Sequence, residues 1–255
     1  MSPRLAFAIE TAYRAGRSTL SHFRTGTTVE TKPDASPVTA ADRNAERMIR
    51  AAIEENFPKD LILGEEEGGA TGVPDRWIVD PIDGTKSFIC GVPLYSTLIA
   101  YECDGRPILG VCYLPALDEM FYAERGGGCF VDGRPCRVST RPEISGGVVT
   151  AGSLPSMFRH NRLDGFLKLS DRTVASRNWG DAHGHALVAS GRVEAMLDPV
   201  VTRWDLSAVR IIVEEAGGRF TDYSGGDPFD AGDAGLEAIS SNGLVHEEIL
   251  DAFRR

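Results

Sequence analysis

The chain has 255 residues, 42% of them hydrophobic and 25% charged, and a net charge of −10 from 27 basic and 37 acidic side chains. That is the composition of a globular enzyme with one large domain or two of ordinary size. It excludes a low-complexity chain, gives no apolar run long enough to cross a bilayer, and disfavours nucleic acid as a partner.

The amino terminus, MSPRLAFAIETAYRAG, lacks the unbroken apolar core of a signal peptide, so the protein is expected in the cytoplasm. Over residues 3–23, Leu5, Ile9, Ala12, Tyr13, Gly16, Leu20 and Phe23 recur near one helical face. The polar segment TKPDASPVT follows, and its prolines are expected to prevent regular structure. A second helix is predicted from about Thr39, with Thr39 and Asp42 as a capping-box pair and Ala45, Met48, Ile49, Ala52 and Ile53 as the buried stripe. Phe57-Pro58 ends it. Strand-like runs come next at 61–63, 77–79, 96–102, 108–114 and 120–123. Short turns join the last three into an antiparallel meander, and Gly126 to Gly128 and Asp132-Gly133 mark a further hairpin.

From about residue 145 short strands at 148–151, 173–175, 194–197 and 238–240 alternate with helices near 181–190, 205–216 and 244–253. An α/β fold class follows, with an α+β segment, 1–142, before an α/β segment, 143–255. The five cysteines (90, 103, 112, 129, 136) form no CxxC pair and are expected to be reduced, buried thiols.

Acidic residues carry the chemistry. The strand Trp77-Ile78-Val79 runs into Asp80, Pro81 is expected to stop it, and Asp83-Gly84-Thr85 turns the chain. An isolated Asp-Pro-x-Asp-Gly is usually a surface turn. Here an apolar strand feeds it, and the N–H groups of Gly84 and Thr85 open the segment KSFIC, where an anion would bind. Two carboxylates and the Ile82 carbonyl offer the oxygen donors that a hard divalent cation takes. Glu65 leaves the run Leu61 to Leu63 within an acidic triplet and can reach the neighbouring strand exit at Asp80. Asp42 and Asp205 each begin a helix and read alone as caps. His183 and His185 alternate on a first helical turn, so at most one could line a pocket. Trp179 reads as core rather than as a stacking platform.

Together these segments resemble the inositol-monophosphatase family of magnesium-dependent, lithium-sensitive phosphatases. The resemblance rests on WIVDPIDGTKSF and WDLSAVRIIVEEAGGRFTD, preceded in order by VTAAD and GEEEG, and it covers nearly the whole chain. It implies a layered α/β/α/β/α sandwich, commonly a homodimer, acting on a small phosphate ester. It also implies two or three Mg²⁺ ions on Glu65, Asp80, the Ile82 carbonyl, Asp83 and Asp205, with Asp42 and Thr85 as a helper pair. The segments KSF, CGVPL and SRNWGDAHGHALVASGRVEAMLDP are similar to its histidinol-phosphate phosphatase branch. The resemblance sets Gly180, Asp181 and Ala182 against the organic half of the substrate, beside Asp198. Arg177 either contacts phosphate or structures the loop. Inositol 1-phosphate is the next expected substrate, then adenosine 3′,5′-bisphosphate. A non-catalytic transcription-complex partner is the reading from another class.

Overall fold

The computed structural model describes residues 1–26, 28–32 and 37–254. Helix α1 (Pro3–Thr19) is capped by Ser2, whose hydroxyl accepts from the Leu5 N–H. Strands β1 (Val29–Thr31) and β2 (Pro37–Thr39) pair antiparallel and lead into α2 (Ala40–Asn56). There follow β3 (Ile62–Gly64), β4 (Gly68–Gly69), β5 (Arg76–Asp83), the short α3 (Thr85–Ile89), β6 (Ser96–Cys103), β7 (Arg106–Leu114), β8 (Glu119–Glu124), β9 (Gly128–Val131) and β10 (Arg134–Cys136). The remainder contains β11 (Val148–Ala151), α4 (Leu154–Arg159), α5 (Leu163–Arg172), β12 (Ala175–Arg177), α6 (Asp181–Ala189), β13 (Ala195–Thr202), α7 (Arg203–Glu215), β14 (Arg219–Thr221), β15 (Ala234–Ser241) and α8 (His246–Phe253).

Strands β3 to β10 form an eight-stranded sheet in the order β10-β9-β8-β7-β6-β5-β3-β4, antiparallel except where β3 runs parallel to β5. A five-stranded sheet has the order β12-β11-β13-β15-β14. Alternation along the strands sends neighbours to opposite faces. Trp77, Val79, Ile99, Leu109, Val111 and Tyr113 pack against α1 and α2. The intervening Ile78, Leu98, Ala100, Cys112 and Leu114 turn the other way, into a core shared with α6, α7 and the inner face of the second sheet. Val149, Ala195, Leu197 and Ile239 on its outer face meet α4, α5 and α8. Five layers result, α/β/α/β/α. A close approach at Gly110 seats α7 on β7: a Cβ there would lie 2.5 Å from the Ala208 carbonyl oxygen.

The structure corrects several local expectations. Pro81 does not end β5. The strand continues to Asp83 through a bulge between the pairs Asp80↔Leu98 and Asp83↔Ser96. A bulge accommodates a residue with no N–H to donate. The prolines after residue 31 do not exclude pairing either, because Pro37 is tolerated as the first residue of β2. Pro33 to Ser36 lie outside the described residues. The first helix ends at Thr19, α7 starts at Arg203 and not at Asp205, and β12 begins only at Ala175. Tyr13 and Met48 are exposed, whereas Glu46 on the inner side of α2 is fully buried, for a reason given below. Helices α4 and α5 carry no side-chain cap hydrogen bond, and the sequence reading missed both. Cys112, Cys129 and Cys136 are buried free thiols, but Cys90 is exposed and Cys103 half-buried.

Candidate active site

The bulge in β5 is what unites the two strand acids. On a regular strand, residues three apart point to opposite faces. The extra residue restores Asp83 to the side of Asp80, the side that Ser96 and Leu98 share on β6. Gly84 then adopts φ +79°, a left-handed conformation that glycine takes without steric cost, and α3 begins. Asp205 arrives from the other sheet's direction, at the third position of α7. The Thr202 N–H and hydroxyl donate to its Oδ2 at 2.6 and 2.7 Å, completing a capping box. Asp42 is held in the same way by Thr39 at the start of α2, at 2.8 and 2.5 Å, and its Oδ1 is buried with no partner.

One pocket of about 170 Å³ is lined by Glu65, Asp80, Ile82, Asp83, Gly84, Thr85, Lys86, Asp181, Asp205 and Pro37. Carboxylate oxygens of Asp80, Asp83 and Asp205 lie within 4.8 Å of one another. Asp83 Oδ2 accepts from the Ser96 hydroxyl and from the Ala182 N–H, each at 2.9 Å. Asp80 Oδ1 is buried and unpartnered. A larger hollow of about 540 Å³, between α4, α5 and the end of α8, contains no comparable cluster.

Burial first, and then the neighbouring carboxylates, hold the carboxyls of Asp80 and Asp83 well above the usual carboxylate range. Asp205, half-buried, and Asp181, exposed at one edge yet crowded by the pocket, are each raised to about 6 by lost solvation and then by neighbouring carboxylates. Five carboxylates against one lysine, Lys86, line the pocket, so the site is short of positive charge. Grouped buried carboxylates are unfavourable until a cation offsets their repulsion, and an all-oxygen donor set with an unpartnered atom suits a hard divalent ion. The residues fit the metal that the family resemblance implies.

Two side chains that the sequence reading passed over complete the site. Lys32, just after β1, donates from Nζ to Glu65 Oε1 at 2.8 Å and to Glu66 Oε1 at 2.6 Å. Glu66 is accordingly less solvated than its triplet suggests, and burial raises it to about 7. Glu46 accepts from the Glu66 and Glu67 N–H groups at 2.7 and 3.0 Å, which fixes the turn that carries Glu65. The only trace in sequence was a Glu46–Arg50 pair on an otherwise apolar helical face.

Asp42, Arg177, Gly180, Ala182 and Asp198 fall outside the pocket lining, and Thr85, which is within it, is not paired with Asp42. The Thr85 hydroxyl donates to the Ile82 carbonyl at 3.1 Å and not to Asp42. Gly180 caps α6, and Ala182 contributes its backbone N–H to Asp83. Arg177 is exposed, its Nη1 donating to the Ser176 carbonyl. Asp198 is buried and bonded to His185, not open to the pocket. Neither histidine lines it: His183 is buried with Nδ1 unpartnered, and burial lowers it to about 4. Trp179 is 38% exposed and not part of the core.

Over residues 1–255 the chain matches the model of the inositol monophosphatase family. It is 44% identical to a histidinol-phosphatase of Chlorobaculum parvum, covering 99% of this chain and 97% of that one. It is also 44% identical to a histidinol-phosphatase of Mycobacterium tuberculosis, over 87% and 86% of the two chains. Among solved structures, Thermotoga maritima IMPase superposes with a TM-score of 0.90 at 36% identity, covering 98% and 96%. An acidic cluster at the meeting point of two sheets could hold a metal ion of the kind that assists hydrolysis, and the chain belongs to the inositol monophosphatase family.

Proposed function

We propose that this protein is a Mg²⁺-dependent phosphate monoester hydrolase that converts L-histidinol phosphate and water to L-histidinol and phosphate, a step of histidine biosynthesis. The observation that carries this reading is the end-to-end 44% identity to a histidinol-phosphatase, combined with the intact carboxylate cluster. Glu65, Asp80, the Ile82 carbonyl, Asp83 and Asp205 would hold two or three ions. Mg²⁺ there supplies charge neutralisation for the phosphoryl oxygens and makes the attacking water more acidic.

The protein's own groups do the rest. The start of α3 has no side-chain cap, which leaves the N–H groups of Thr85 and Lys86 for the phosphate, with Gly84 allowing its close approach. Glu65, steadied by Lys32, takes the proton of the attacking water. The Thr85 hydroxyl, released from the Ile82 carbonyl, orients that water, with Asp42, whose buried Oδ1 is free, as its proposed helper. No covalent phospho-enzyme is needed. Asp181 and Asp198 lend the far end of the site negative charge suited to the ammonium and imidazole of histidinol, and Gly180 and Ala182 shape the loop around it. Arg177 is given no substrate contact, because it is exposed and does not line the pocket. We expect a cytoplasmic homodimer that uses neither nucleic acid nor membrane, and no helix among the described residues is long and apolar enough to cross one.

The likeness to an IMPase favours inositol 1-phosphate as the second reading. Phosphate release from L-histidinol phosphate, inositol 1-phosphate and adenosine 3′,5′-bisphosphate, assayed in parallel with Mg²⁺, separates the two. L-Histidinol phosphate should lead in kcat/KM by about tenfold or more, the scale that pocket contacts deliver. A lead for either other ester moves the protein to another branch of the family.

A further inference from the structure

His185 is a fully engaged buried histidine that the chemistry above does not use. It is 1% exposed on α6, and its ring lies tilted against Phe220 at 5.2 Å. Nε2 stands 3.1 Å from Asp198 Oδ2, and Nδ1 stands 2.7 Å from Ser240 Oγ. A carboxylate only accepts, so Nε2 carries the proton; in the neutral ring Nδ1 then accepts from the Ser240 hydroxyl. Strand β15 thereby sets the tautomer that α6 presents to β13.

The consequence is directional. With Oδ2 tied to the imidazole, Asp198 Oδ1 turns toward Gly152, where a Cβ would come within 2.4 Å of it. Gly152 itself lies against Gly180, whose Cβ would stand 3.0 Å from the Gly152 Cα. Gly180 immediately precedes Asp181, which lines the pocket. Any larger side chain at 152 or 180 would wall Asp198 off from that loop.

We propose that His185 is a positioning residue for substrate selectivity: held by Ser240, its Nε2–H fixes the Asp198 carboxylate so that its other oxygen is directed, past Gly152, toward the Gly180-Asp181 loop, as a buried charge behind the cationic end of the substrate. This rests on the reading of Asp198 as a source of negative charge for the organic half of the substrate. The imidazole touches no reacting atom, so its loss acts on binding of a charged group and spares the chemical step.

The test is steady-state kinetics with saturating Mg²⁺ on L-histidinol phosphate and on glycerol 2-phosphate, which carries no cationic group. In His185→Leu the ratio of the two KM values should shift about tenfold against histidinol phosphate, the scale of one hydrogen bond to a charged group. The kcat values should stay within about twofold of the parent, as expected when only ground-state binding is lost. His185→Gln, whose amide can place an N–H where Nε2–H stood, should restore the parent ratio. Ser240→Ala, which frees the tautomer, should shift the ratio in the same direction as His185→Leu. Asp198→Asn serves as the reference. If it shifts the ratio while His185→Leu does not, or if His185→Leu lowers kcat equally on both esters, the positioning role is overturned and the reading of Asp198 stands. If Asp198→Asn leaves the ratio unchanged, that reading falls and this proposal with it.

Discussion

Asp83 shows how much of this site is decided at single side chains. Its Oδ2 is already satisfied by the Ser96 hydroxyl and the Ala182 N–H, so its charge is oriented but not neutralised. Replacing it with Asn should keep the fold, abolish turnover, and remove the Mg²⁺-dependent rise in melting temperature. That rise should itself depend on pH. Asp181 and Asp205 sit near 6 in the fold against an ordinary 3.8, and Glu66 near 7 against 4.5. Their folded values are raised, so they stabilise the cation-free protein fully only below about 4 and lose that contribution as pH rises through about 6 to 7. His183 and His246, lowered to about 4 by burial, act in the opposite sense. They do so with or without metal and cancel in the difference. The increment in melting temperature from saturating Mg²⁺ should therefore be small at about pH 5 and grow toward about 7.5, as protons compete less. A flat increment measured by differential scanning fluorimetry would place the ion elsewhere.

Among the elements, one device occurs twice. β5 and β13 each contain an Asp-Pro, at Asp80-Pro81 and Asp198-Pro199, and each has a register shift just after that Asp. In both strands a residue unable to join the ladder coincides with a bulge that re-aims carboxylates near the site. Helices α2 and α7 repeat a second device: a Thr at the N-cap holds an Asp at the third position, occupying one carboxylate oxygen and orienting the other. Thr202→Ala should cost about 1 kcal/mol in stability, as N-cap losses do. It should also weaken Mg²⁺ binding, because Asp205 then swings free. Calorimetry of the ion with the variant checks this; unchanged affinity would mean that the cap serves the helix alone. The Thr39–Asp42 box was legible in the sequence and Asp205 read there as a lone cap, but its pairing with Thr202 and the convergence of the two helix starts were not.

At the scale of the whole molecule, the middle helical layer joins the two sheets. The core around α6 and α7 takes residues from both, Leu63 and Leu98 on one side and Met196 and Ala238 on the other. A buried network adds to it. Glu102 on β6 accepts from Arg76, from Arg203 and from the Ser207 hydroxyl, tying the start of α7 to the first sheet. We expect segments 1–142 and 143–255 to unfold together in urea, with tryptophan fluorescence and far-ultraviolet circular dichroism tracing coincident transitions. Separated midpoints would mark the two as independent folding units. Glu102 was unremarkable in the sequence, since a lone acid in a strand gives no hint of three donors from distant elements.

Much was readable without coordinates: the Thr39–Asp42 capping box, the meander, the α/β class, and the acids Glu65, Asp80, Asp83 and Asp205. These depend on local periodicity and on residue types whose conformational and bonding preferences are set by near neighbours in the chain. The tertiary structure alone decided that Pro81 bends β5 without ending it, that Lys32 and Glu46 steady the Glu65 turn, and that Asp198 answers to His185. It also removed Arg177 and both histidines from the pocket lining. The physical reason is range. A cap or an alternating strand closes its bonds within a few residues, whereas the partners of a buried charge are recruited from remote positions once packing has excluded water.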